Sequence, residues 1–159
     1  MKLGLVCVVL AVGSVASVAR AQPPAQAPGD IRVQTEWFTV AGNPADPVAN
    51  TVQVDPVAIG DEGDSRPAAK RMNVRVNRSA ERVNWDNIPY RSYESQVVFD
   101  CQARRAAYVQ ARYYAQPLWQ GEPHTVADYG GNPRPMLFRD MEPNPVSRIV
   151  RAACRLKTG

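Results

Sequence analysis

The stretch NPVSRIVRAACR, Asn144 to Arg155, breaks the pattern of everything before it. Its apolar residues Val146, Ile149, Val150, Ala153 and Cys154 fall at i, i+3, i+4, i+7 and i+8, one face of a helix. Asn144 suits the N-cap, and Pro145 suits the first helical position, where a missing N–H costs nothing. Arg148, Arg151 and Arg155 occupy the opposite face, and cations late in a helix suit its negative end.

Upstream the period is two. KRMNVRVN sets Met72, Val74 and Val76 inward against Arg71, Asn73 and Arg75. IRVQTEWFTV, Ile31 to Val40, alternates in the same way, and TVQVDPVAI is a second extended run, kinked at Pro56. Ser79 to Tyr93 reads as irregular and polar. SQVVFDC and RAAYVQARYY follow as two strands, joined around Gln102–Arg104 by a hairpin or a bend. Gly121 to Pro135, rich in Gly and Pro, reads mostly as loop. One α+β domain results, a mostly antiparallel sheet of about five or six strands covered by the C-terminal helix.

The cysteines link the two periods. Cys101 shares the apolar face of its strand with Val97 and Phe99, and Cys154 lies on the apolar stripe of the helix. A sheet and the helix covering it place both in one layer, so a Cys101–Cys154 disulfide is expected. Closing so long a loop stabilises by about 4 kcal/mol in the chain-entropy model. A redox-active pair would sit close in sequence, as C-x-x-C, and this one does not.

The third of the 3 cysteines, Cys7, lies in an N-terminal segment with the marks of a signal peptide. Lys2 is its positive region, and Leu3 to Val18 is almost wholly apolar or small. Ala19-Arg20-Ala21 predicts cleavage before Gln22. The apolar run is short for a span of about 20 residues, so no stable membrane span is expected after cleavage. Removing 21 of 159 residues leaves 138, enough for one domain with a core. Lys2 and Arg20 leave and no acid does, so a formal charge of +4 falls to +2. That is too little bias for a nucleic-acid partner. An even cysteine pair in an exported chain fits an oxidising compartment. QPPAQAPGD, residues 22–30, reads as a flexible Pro-rich leader, and 31–159 as the folded domain.

Candidate chemistry is sparse. His124, in GEPHTVADYG near Glu122 and Asp128, shows no spacing to a nucleophile and reads as a loop histidine. Asp61, Glu62 and Asp64 lack the spacing of a calcium loop and read as a solvated turn. With both mature cysteines committed, neither a metal nor another cofactor is implied. Asn77-Arg78-Ser79 fits a glycosylation acceptor. In RRAAYVQARYY, strict alternation puts Arg105, Ala107, Val109, Ala111 and Tyr113 on the core face. It leaves Arg104, Tyr108, Arg112 and Tyr114 together on the other face. Arginine and tyrosine are enriched at interface hot spots, so these four form a candidate partner-binding face.

Trp37, Asp55 in VQVDPVAI, the S…VVFDC strand and the terminal VRAAC together resemble the surface-adhesin E-like family of Gram-negative bacteria. The resemblance covers most of Ile31 to Arg155. Its second half matches at Ser92 or Ser95, Asp100, Cys101, Arg104, Arg105, Ser147 and Cys154. It implies a small α+β domain in the periplasm or on the cell surface, with the same disulfide. It also makes the glycosylation pattern idle. The family's namesake binds host extracellular-matrix and serum proteins, which makes such proteins, or envelope components, the implied partners. A non-catalytic, adhesin-like binding module is the expected function. The alternative is a periplasmic enzyme or small-ligand carrier, which would need a deep pocket with convergent polar groups.

Overall fold

A computed structural model describes residues 36–59 and 69–155. The segments expected to be the signal peptide and leader, the Ile31–Thr35 half of the first expected strand, and the acidic turn at 61–64 lie outside these residues.

Alternation and turns build a meander. The strands are β1 (Phe38–Ala41), β2 (Thr51–Ile59), β3 (Ala69–Val83), β4 (Pro89–Asp100), β5 (Arg105–Tyr114), β6 (Thr125–Asp128) and β7 (Arg134–Pro135). They form one antiparallel sheet in the order β1-β2-β3-β4-β5-β6, with β7 pairing the earlier part of β5 at Ala107 and Tyr108. The helix α1 spans Val146–Arg155. The α+β architecture expected from the sequence is the one found.

The inner face carries Val52, Val54, Met72, Val74, Val97 and Phe99, all buried. Against it α1 sets Ile149, Val150 and Ala153. A Val, Ile, Met or Phe side chain contributes about 1.5–3 kcal/mol on full burial. Asn144 caps the helix as expected, its Oδ1 accepting from Val146 N at 3.0 Å. At the other end Lys70 Nζ reaches the carbonyls of Ala153 and Cys154, at 3.5 and 3.4 Å, where a cation suits the helix dipole. Cys101 and Cys154 are joined by a disulfide spanning 53 residues, with Cα atoms 5.7 Å apart.

Several local expectations need correction. Ser79 to Tyr93 is not irregular. β3 runs on to Val83 and β4 starts at Pro89, with Asn84 Oδ1 holding the turn by accepting from Asp86 N and Ile88 N. Polar residues mask these strands because β3 bulges between Asn77 and Arg82, which breaks the alternation. The Gly- and Pro-rich segment 121–135 supplies β6 and β7, strands too short to show a period. The Gln102–Arg104 region closes a hairpin. There Asp100 Oδ1 accepts from Ala103 N at 2.8 Å, and Arg104 adopts φ +54°.

Candidate functional site

The four residues of the expected binding face do not share a face. The pairing of β4 with β5 slips by one residue at Gln96/Val97, with Val109 as the extra residue. A bulge reverses the phase of every side chain beyond it. Ala106 and Tyr108 therefore join Ala111 and Tyr113 in the inner core. Tyr108 is 4% exposed. Arg112 is exposed on the outer face, beside Tyr114, whose body is buried and whose hydroxyl donates to Glu94 Oε2 at 3.0 Å. Arg104 sits in the hairpin turn at the end of the sheet. The expectation assumed strict alternation, and one inserted residue defeats it.

The outer face carries no α-helix among the described residues, because α1 packs on the inner one. Its centre is Arg75. The guanidinium lies 4.3 Å from the ring centroid of Trp37 and 4.1 Å from that of Trp119, so two indoles bracket one cation. Arg75 Nε donates to Gln53 Oε1 at 2.7 Å, and Gln53 Nε2 donates to Thr39 Oγ1 at 2.9 Å. Burial lowers the Arg75 pKa, and the Glu94 carboxylate opposes that shift. Trp119 ends a short 3-10 turn, Pro117–Trp119, which buried polar side chains anchor. Ser92 Oγ donates to Gln116 O and accepts from Trp119 N, at 2.7 and 3.0 Å. Asn77 Oδ1 accepts from Leu118 N, and its Nδ2 donates to Pro47 O and Ala49 O. Buried in this way, Asn77 offers no glycosylation site.

Along β4 and β5 the same face opens into a groove of about 840 Å³. Val98, Ala107 and Val109 line its apolar part, and Arg71, Arg105, Asp100 and Asp128 supply charge. Of the expected face, only Arg104 reaches it.

The inner face holds a second cavity, of about 420 Å³, beyond the helix. Tyr90, Tyr93, Tyr108 and Tyr113 wall it, with ring centroids 5.4 to 5.8 Å apart. The hydroxyls of Tyr93 and Tyr108 are 2.7 Å apart and share a hydrogen bond. Burial raises the pKa of Tyr90, Tyr93 and Tyr108, so all three stay neutral phenols across the physiological range. Arg78 and Arg82 also line the cavity, and both approach Asp140 Oδ2. Sequence reasoning missed this site. The signal was available, since Arg78 is the next inward position after Met72, Val74 and Val76. A charge delivered to a core face is costly unless paired.

His124 is exposed, and its Nδ1 lies 2.9 Å from Thr125 Oγ1. Asp128 Oδ1 accepts from Gly130 N at 2.8 Å. Among the described residues no group of three or more His, Cys, Asp or Glu side chains is placed to hold a metal. No helix among them is long and apolar enough to cross a membrane.

No curated protein and no solved structure matches the chain significantly. A family model does. The sequence over residues 37–155 matches the model of the family described as surface-adhesin protein E, and the chain belongs to that family.

Proposed function

We propose that this protein is an exported, non-catalytic binding module of the cell envelope or surface, and that it docks a macromolecular partner through the outer face of its sheet. Membership of an adhesin family supports the role. The observation that carries the choice of face is Arg75 held between Trp37 and Trp119 on the side the helix leaves free. Tryptophan, tyrosine and arginine dominate interface hot spots because they combine large contact area with fixed polar groups. A pre-stacked guanidinium loses little freedom on binding. Exposed Arg105 and Arg112 extend the positive surface along β5. Partners with acidic patches, among host matrix and serum proteins or envelope components, fit that charge. Export rests on the Ala19-Arg20-Ala21 pattern, with residues 22–30 as leader and 31–159 as the adhesin-type domain.

The test is a panel of matrix and serum proteins probed with wild type and with Arg105→Glu/Arg112→Glu, the fold of each verified by circular dichroism. At least one partner should bind wild type and lose at least about tenfold in affinity with the double variant, or about 1.4 kcal/mol. Equal binding by both proteins would remove this face from consideration.

A further inference from the structure

The tyrosine-walled cavity is separate from the outer face, and its chemistry is one-sided. Of the two hydroxyl protons of Tyr93 and Tyr108, their mutual bond uses one. The hydroxyl of Tyr90 has no hydrogen-bond partner among the described residues, and it belongs to a residue lining the cavity. Arg78 Nε is buried with no acceptor, on a side chain 2% exposed. Arg82, also lining the space, shares its nearest carboxylate oxygen with Arg78. Surplus donors thus face an interior whose one acidic side chain, Asp140, is already shared by two guanidinium groups. Arg139 adds a third arginine to the lining.

Such a site carries more positive than negative charge, with three arginines to one carboxylate in its lining. Guanidinium groups pair best with planar carboxylates, through short charge-assisted bonds. The tyrosine rings supply broad faces with a negative quadrupole, against which an aromatic edge or the polarised C–H bonds of a sugar can rest. The volume falls in the range of small-ligand sites, which are mostly apolar with a few placed polar groups.

We propose that this cavity binds a small carboxylate carried on a ring, with the ring against Tyr90, Tyr93 and Tyr113 and the carboxylate toward Arg78 and Arg82. The ring can be an acidic sugar residue or an aromatic acid. Both present the same carboxylate, and the test separates them. This site does not depend on the adhesive role of the outer face.

Calorimetric titration of the full secreted protein would use glucuronate and N-acetylneuraminate in one arm and 4-hydroxybenzoate in the other. Glucose and phenol are the uncharged controls. One acid class should saturate at one site per chain, and its control should bind at least tenfold more weakly. Arg82→Gln, at a side chain 40% exposed, keeps the buried Arg78–Asp140 pair and should weaken that acid at least tenfold without unfolding the protein. Tyr90→Phe should weaken it several-fold. Arg105→Glu/Arg112→Glu should leave it unchanged, which separates this site from the outer face. Absence of saturation by either class, equal binding of acid and control, or an unaffected Arg82→Gln would overturn the proposal.

Discussion

Asp140 Oδ2 accepts a hydrogen bond from Arg78, which lies 62 residues earlier and keeps only 2% of its side chain in solvent. Asp140 itself is half exposed. The pair ties the β3 bulge to the segment leading into α1. Its desolvation cost falls almost wholly on the arginine, so the two single variants should differ. Asp140→Ala leaves a buried guanidinium with no carboxylate and should cost about 3 kcal/mol. Arg78→Met removes the buried charge along with the bond, and its cost should be clearly smaller. Urea denaturation of both variants checks the order, and equal losses would mean that water already solvates Arg78.

The disulfide joins the turn after β4 to the last turn of α1, 53 residues on, and so fixes the covering helix to the sheet. Cys101→Ala with Cys154→Ala should cost about 2–5 kcal/mol in equilibrium unfolding. Alkylation of the denatured, unreduced protein should find no free thiol at either position.

Gly42 and Gly121 both have positive φ, +81° and +77°, but their surroundings differ. A Cβ on Gly42 would collide with the Asn50 carbonyl oxygen and come within 2.6 Å of Thr51 Cα. Beside Gly121 there is nothing within 4 Å. Thr51 Oγ1 also donates to Asn43 O at 2.9 Å, so the β1–β2 turn cannot open cheaply. Gly121→Ala should cost about 1 kcal/mol from its dihedral alone. Gly42→Ala should cost about 2–3 kcal/mol. Thermal unfolding of the two variants separates sterics from conformation.

How much of this was legible follows from period. β3 and α1 could be read because nothing interrupts Met72-Val74-Val76 or the stripe from Val146 to Cys154, and the cysteines then had to meet. The β5 face could not be read, because the bulge at Val109 depends on the pairing with β4 and leaves no mark in composition. Arg78 lay in phase but looked like a surface charge, since its partner Asp140 comes from a remote loop. The bracketing of Arg75 was equally hidden. Trp37 and Trp119 reach it from positions 82 residues apart, and Trp119 is aimed by Ser92 and by a left-handed backbone at φ +58°.

Stability should fall at high pH. In the unfolded chain tyrosines ionise near pH 10. In the fold, burial holds Tyr93 and Tyr108 protonated well beyond that, and burial, with hydrogen bonds to Tyr113 and Asp86, does the same for Tyr129. Above pH 10 the folded state therefore binds more protons than the unfolded state, so stability decreases as pH rises. Their contribution is complete below about pH 10 and is lost as pH climbs toward the raised folded values. Unfolding free energy measured across the alkaline range should show this decline, and Tyr93→Phe should make it shallower. A tyrosinate absorbance titration of native protein should rise late and together with unfolding.

Arg75 provides the last test, because it distinguishes a stacked guanidinium from a mere positive charge. Lysine keeps the charge but has no plane to lie between Trp37 and Trp119, and it cannot reproduce the geometry of the Nε bond to Gln53. Arg75→Lys should therefore cost about 1–2 kcal/mol of stability, in the range of partly desolvated cation–π contacts. Arg71→Lys, two positions earlier on the same face than Asn73, has no indole above it and serves as the control, with a change below about 0.5 kcal/mol. Tryptophan fluorescence gives a second readout. Release of Trp37 and Trp119 should shift emission to longer wavelength in Arg75→Lys alone. If the partner docks on this clamp, Arg75→Lys should also lower affinity for whichever matrix or serum protein binds wild type, even under conditions where both proteins are fully folded. Unchanged affinity with a red-shifted spectrum would make the clamp a device for holding the Pro117–Trp119 turn, and would move the contact toward Arg105 and Arg112.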